Sequence, residues 1–163
     1  MTTRPENILR PTDSEARSLA RRLLSHARFA ALGVLVDGAP HVTRIGFGMT
    51  PDFTPLTLIS DLALHTQALR TAPTCSLLIA EPPDKGDPLA FPRLTLSAVA
   101  EFAEKTDDLL AAWRSDHPKS ALYLAFSDFH FVRFRPLSGA LNGGFGKAFH
   151  LTADDLTQPV APE

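Results

Sequence analysis

"FAALGVLVDGAPHVTRIGFGM", Phe29 to Met49, is the stretch on which the fold turns. Two β-prone runs flank Asp37-Gly38, a dipeptide that tolerates the positive φ angles of a two-residue hairpin turn. An antiparallel pair folded at Asp37 is therefore expected. Working outward, "PLTLIS" (55–60), "TCSLLIA" (74–80), "RLTLSAVAEFAE" (93–104) and "DFHFVRFRPL" (128–137) have the length and the β-branched or alternating character of further strands. Upstream, Ala16, Leu19, Ala20, Leu23, Leu24 and Ala27 recur at helical spacing, with Arg17, Arg21 and Arg22 on the other face. "TDSE", Thr12 to Glu15, has the form of a capping box at the start of that helix. Short helices are also expected from about Ala63 to Thr71, over "DDLLAAWRSD" behind Thr106, and over "PKSALYLAF" with Pro118 in its first turn. "EPPDKGDPLAFP" reads as a surface loop and "NGGFGKAFHL" as a turn-rich segment. Closely spaced strands with helices inserted between the later ones predict a mainly β chain with peripheral helices (α+β), an antiparallel barrel rather than a parallel α/β sheet. One domain over 1–163 is expected, with 1–11 and 152–163 as flexible tails.

The 163 residues suffice for a hydrophobic core without staples, and 44% hydrophobic with 21% charged residues is an ordinary globular balance. A formal net charge of -2 supplies no general field for nucleic acid or anionic lipid, so neither is an expected partner. The lone Cys75 forbids an intrachain disulfide and suits the reducing cytoplasm. Nowhere do about 18 apolar residues run together, and no apolar leader of signal-peptide length is seen, so a membrane-free cytoplasmic protein is expected.

Candidate sites centre on "LISDLALHTQAL", Leu58 to Leu69, where a strand passes at once into a helix. The first amides of such a helix are unpaired and its N-terminal end is partly positive, which favours an anion. Ser60 and Thr66 add hydroxyls and His65 a ring nitrogen, a set suited to a phosphate monoester; the plainer alternative is that Ser60 or Asp61 only caps the helix. Arg44 sits among apolar neighbours in its strand and could face an anion or pair with a carboxylate across the sheet. The "GGFG" turn, Gly143 to Gly146, with Lys147 behind it, admits close approach of a ligand and equally suits a plain turn. The six histidines form no zinc pattern, and no metal ion site is expected; His150 is a candidate single haem ligand, which needs no motif. No G-x-S-x-G elbow argues for a hydrolase.

As a set, "GAPHVTRIGFGM", "LTLISDLALHTQAL", "SLLIAEP", "RLTLSAVAEF" and "HPKSALYLAFSDFHFVRFRPLSGALNGGFGKA" resemble the pyridoxamine 5'-phosphate oxidase-like FMN-binding split-barrel proteins, and within them the haem-utilisation, HugZ/HutZ-type branch. The resemblance implies an antiparallel split β-barrel that forms a homodimer, with FMN in clefts between the subunits. It implies flavin-holding roles for Arg44, Ser60, His65 and Thr66, a polar contact from Arg93, and approach of Gly144 and Lys147 from the glycine turn. A flavin-dependent oxidoreductase of unknown substrate is the expected function, with haem binding as the alternative. The Arg-x-His segment of true pyridoxamine phosphate oxidases is replaced here by "GGFGKAFHL", and no basic residue stands near Met49, so vitamin B6 oxidation is not expected.

Overall fold

The Asp37-Gly38 turn forms with φ of 50° and 80° at its two central residues, the twist that lets flanking strands pair without splaying. The computed structural model describes residues 10–81 and 83–158. Around the turn, β1 (Phe29–Val36) and β2 (Ala39–Gly46) pair from Phe29↔Gly46 to Val36↔Ala39. The remaining elements are α1 (Ser14–His26), β3 (Gly48–Met49), β4 (Pro55–Ser60), α2 (Leu64–Thr71), β5 (Thr74–Ala80), β6 (Arg93–Ala103), α3 (Asp107–Asp116), β7 (Phe129–Asn142), β8 (Ala148–Thr152) and α4 (Ala153–Thr157). Single 3₁₀ turns lie at Pro88–Ala90 and Pro118–Leu122.

Strand neighbours are antiparallel throughout, in the order β2-β1-β5-β6-β7-β4-β3, with β8 also on β7. The expected split-barrel fold is present: the sheet curls so that β4 returns toward β2, where the Thr57 hydroxyl donates to the Gly46 carbonyl at 2.6 Å. On one side β7 pairs with β6. On the other it pairs with β4 as far as Arg133 and with β8 from Ser138 onward. Pro136 falls between those two partners, so its missing amide donor leaves no gap in either ladder. Leu137 is unmatched between Ser138↔Ser97 and Pro136↔Ala98, a bulge that bends the strand.

Leu32, Phe47, Leu77, Leu94, Leu96 and Phe134 fill the inside of the curl, and Ala20, Leu23 and Leu24 of α1 pack against that core. A second core joins Leu109 and Trp113 of α3 to Leu56, Leu58 and Phe131 on the reverse of β4 and β7. Gly46 admits the indole: a Cβ there would lie 3.2 Å from Trp113 Cζ2. His117 stacks on the same ring with centroids 4.1 Å apart, and its Nε2 lies 2.8 Å from the Phe47 carbonyl oxygen.

Three expectations are corrected. Asp13, not Thr12, caps α1: its carboxylate accepts from the Ala16 amide at 2.8 Å, while the Thr12 hydroxyl donates to the His150 carbonyl at 2.5 Å. The turn-rich segment ends in a true strand, β8. The chain from 152 is not a flexible tail as far as it is described, because Thr152 and Asp155 form a capping box for α4, Leu156 is buried, and Asp155 pairs with Arg17 at 2.8 Å. At the other end, the Arg10 amide donates to the Ala148 carbonyl at 2.8 Å. Residues 1–9 and 159–163 of the expected tails lie outside the described residues.

Candidate ligand-binding site

At the β4–α2 corner the backbone turns because the Asp61 amide donates to the Asp128 carbonyl at 2.7 Å and the Ala63 amide to the Ser60 carbonyl at 3.0 Å. Ala63, rather than Ser60 or Asp61, is the N-cap of α2, and it offers no side-chain acceptor to the first turn. Thr66 is fully buried and its hydroxyl donates to the Ser60 carbonyl at 2.6 Å. The Ser60 hydroxyl donates to Asp128 Oδ2 at 3.0 Å while accepting from the Leu62 amide at 3.1 Å. Both hydroxyl protons are thus engaged, and the carboxylates of Asp61 and Asp128 stand where a phosphate would meet like charge.

His65 lies in the first turn of α2. Burial, and then the charge of His41, hold its imidazole below the ordinary value of 6.5. The neutral ring is therefore the native form. Its contribution to stability should be complete above pH 6.5 and lost as pH falls through the lowered folded value. Denaturant midpoints measured against pH should show that decline in the native sequence, and His65→Gln should flatten it.

On the outer face of the sheet, the register aligns Arg44, Ala31, Leu78, Thr95, Ala140 and His150, each directly opposite the next across six strands. A parallel lane of small and hydroxyl side chains, Gly33, Ser76, Ser97 and Ser138, runs beside it. The Arg44 guanidinium lies 5.1 Å from the Phe29 ring centroid, and among the described residues it pairs with no carboxylate. It borders a shallow trough formed with Phe29, Ala31, Leu78 and Ala80. Phe29, Leu35, Val42 and Leu78 on this face are 43 to 68% exposed, an apolar patch too continuous for a face meant only for water.

Arg93 instead secures the preceding loop, donating to the Leu89 carbonyl at 3.0 Å. Gly144 adopts a φ of +120°, with its amide held by Asn142 Oδ1 at 3.0 Å. Lys147 and Gly143 line a cleft of about 440 Å³ against α1, beside Arg10, Arg22 and Phe149. The sequence-predicted residues therefore occupy separate places: the β4–α2 corner, the two ends of the outer row, and the α1 cleft. Within one protomer they do not converge. Among the described residues no group of three or more His, Cys, Asp or Glu side chains is placed for a metal ion. Cys75 is buried, and that burial pushes its thiol up to about 12.

Sequence reasoning missed a further constellation at the corner. His130 Nε2 lies 2.8 Å from Asp61 Oδ2, Arg70 donates to Asp61 Oδ1 at 3.0 Å, and the Arg70 guanidinium stands 4.1 Å over the Phe102 ring. The hydrogen bond from His130, then that from Arg70, holds the Asp61 carboxyl below the usual range. Beside them an open recess of about 580 Å³ has Phe102, Glu104, Lys105, Ser127, Phe129 and His130 in its lining. Only the β4–β7 register, which sets Ile59 opposite His130, brings these residues together.

No protein-family model matches the chain. Over 115 residues, 69% of its length, it is 34% identical to the chloroplastic heme oxygenase HOZ of Arabidopsis thaliana, 35% of which is covered. Over 109 residues, 63% of its length, it is 30% identical to the heme oxygenase HutZ of Vibrio cholerae, 62% of which is covered. The solved heme binding protein from Mycobacterium smegmatis superposes with a TM-score of 0.80 at 29% identity, over 91% of this chain and 61% of that one. A protein from Listeria innocua assigned as a pyridoxamine 5'-phosphate oxidase shares the fold alone, with a TM-score of 0.60 at 16% identity over 77% of this chain and 96% of that one. The chain belongs to the HutZ-type split-barrel family, whose fold it shares with the pyridoxamine 5'-phosphate oxidase-like protein.

This split barrel spans about a third of the plant relative and under two thirds of the Vibrio one. Among its described residues no helix is long and apolar enough to cross a membrane. Measured against FMN, the corner fits poorly, since Ser60 and Thr66 spend their protons on protein acceptors and two carboxylates stand nearby. Arg44, His65 and the uncapped first turn of α2 are what remain for a phosphate. Measured against haem, the split barrel offers an apolar face edged by the Arg44 guanidinium, which pairs with no carboxylate among the described residues, and imidazoles with accessible edges.

Proposed function

We propose that the chain binds haem in a cleft completed when two copies meet across the outer sheet face, and that it works on haem as a cytoplasmic oxidoreductase. The observation that carries this reading is the outer row, in which small and apolar side chains lead to Arg44 at one end. A planar ring bearing carboxylates needs apolar contact along its plane and a cation at its edge. Support comes from the two heme oxygenase relatives and from the heme binding protein that shares the fold. The lane of Gly33, Ser76, Ser97 and Ser138 supports the homodimer, because small side chains let two sheets approach closely.

FMN is the second reading, favoured by the first turn of α2, which has no side-chain cap and carries His65. The two part cleanly. A flavin phosphate at that turn would raise the His65 pKa, which histidine NMR detects, whereas haem on the outer face would leave it where burial sets it.

Titration of the full chain with haemin should give a saturable Soret band. Loss of a charge-assisted hydrogen bond, about 1.5 to 3 kcal/mol, should weaken haem binding roughly tenfold or more in Arg44→Ala. Binding of haemin no tighter than to an unrelated protein would overturn the haem reading. Saturation by FMN with a raised His65 pKa would put the second in its place.

A further inference from the structure

We propose that Phe29 is the side chain against which the face of the haem ring rests, and that it forms one clamp with Arg44; this rests on the haem reading above. Phenylalanine is a residue that folding usually buries, yet at the first position of β1 it is 50% exposed. Strand alternation accounts for the side: Ala30 and Leu32 point into the core, so Phe29 and Ala31 point to the outer face. Directly opposite Phe29 stands Gly46, which has no side chain to cover the ring. Arg44 is its diagonal neighbour on β2, and this brings the guanidinium to 5.1 Å from the ring centroid. Half of the residue stays open even so.

Phe29 is also the wall between two shallow hollows. One, of about 170 Å³, reaches Arg44, Ala31 and Leu78; the other, of about 250 Å³, reaches His26, Arg28 and Glu81, and Ala80 lines both. Each is smaller than the roughly 300 to 1,000 Å³ of a site for a drug-sized ligand, so a ring of porphyrin size lies across the pair and over Phe29. Arg28 is held by Asp116 at 3.2 Å and Glu81 by Arg22 at 3.1 Å. Arg44 is therefore the guanidinium of this stretch that has no carboxylate partner among the described residues, and a propionate bound there sets the ring that carries it beside Phe29. Offset stacking of the two aromatic faces then adds to the burial of apolar area. A second copy meeting the outer face covers the opposite side of the ring. The contact reads flatness and not iron: a porphyrin gains it with or without its metal.

The test titrates haemin and metal-free protoporphyrin IX into the full chain carrying Phe29→Leu or Phe29→Tyr. Leucine keeps apolar bulk and loses the aromatic face, so both ligands should bind roughly three- to tenfold more weakly, by the same factor, while light scattering still reports the native mass. Tyrosine should restore native affinity. In the native chain the diamagnetic metal-free ring should move the Phe29 ring protons upfield in the NMR spectrum, with the signals assigned by their loss in Phe29→Leu. A residue that served only the fold or the contact between chains would not show that shift. Unchanged affinity for either ligand in Phe29→Leu, or Phe29 protons that stay in place, overturns the assignment and leaves haem binding standing. A monomeric Phe29→Leu chain also overturns it, because the side chain would then belong to the contact between copies. Absence of any Soret band in the native chain overturns both.

Discussion

Ala140→Arg should convert a dimer into a monomer and remove haem binding with it. Ala140 is exposed, lies near the C-terminal end of β7, and stands in the outer row between Thr95 and His150. In one protomer an arginine there simply reaches into water, so circular dichroism and thermal unfolding of the isolated fold should hardly change. Between two copies the same guanidinium would be buried without a partner, at a penalty of about 3–5 kcal/mol for each uncompensated charge. By symmetry the penalty enters twice. Light scattering should report the chain mass for the variant and twice that mass for the native protein. A variant that stays dimeric would place the interface elsewhere.

Trp113→Ala should lower the unfolding free energy by about 3–5 kcal/mol, the range for deleting a large buried aromatic side chain. The indole is 3% exposed, meets Phe131 edge-on at 6.0 Å between centroids, and supports the stacked ring of His117. It is the link between α3 and the β4–β7 surface. Among the described residues its Nε1 has no hydrogen-bond partner, so Trp113→Phe should recover most of the loss by keeping the packing without the orphan donor. Urea unfolding of both variants checks this. Equal destabilisation by Phe and Ala would mean that the glycine slot at Gly46, rather than the aromatic volume, sets the packing.

Local chemistry was enough to read most of the sheet. Asp37-Gly38 is a hairpin because of its own φ preferences, and β4 and β5 run over 55–60 and 74–80 as their residues alone require. Where distant partners decide, local signals misled. Thr12 has the form of a cap, yet the His150 carbonyl, 138 residues away, engages its hydroxyl. Glycines drew the reading of 142–151 toward a turn, and β8 forms because β7 extends past its bulge to receive it. The site behaves likewise. Ser60, His65 and Thr66 were visible as polar residues at a strand–helix join, but Asp128 and the Ser60 carbonyl decide where their protons go. The His130–Asp61 pair spans 69 positions and has no local signature at all.

Sedimentation velocity recorded at the Soret wavelength tests the central claim most directly, because it weighs only the species that carries haem. Haem absorbance moving with twice the chain mass, and falling to the free-haem boundary in Ala140→Arg, is the predicted result. Haem absorbance that travels with a single chain, or that never leaves the free boundary in the native protein, would contradict it.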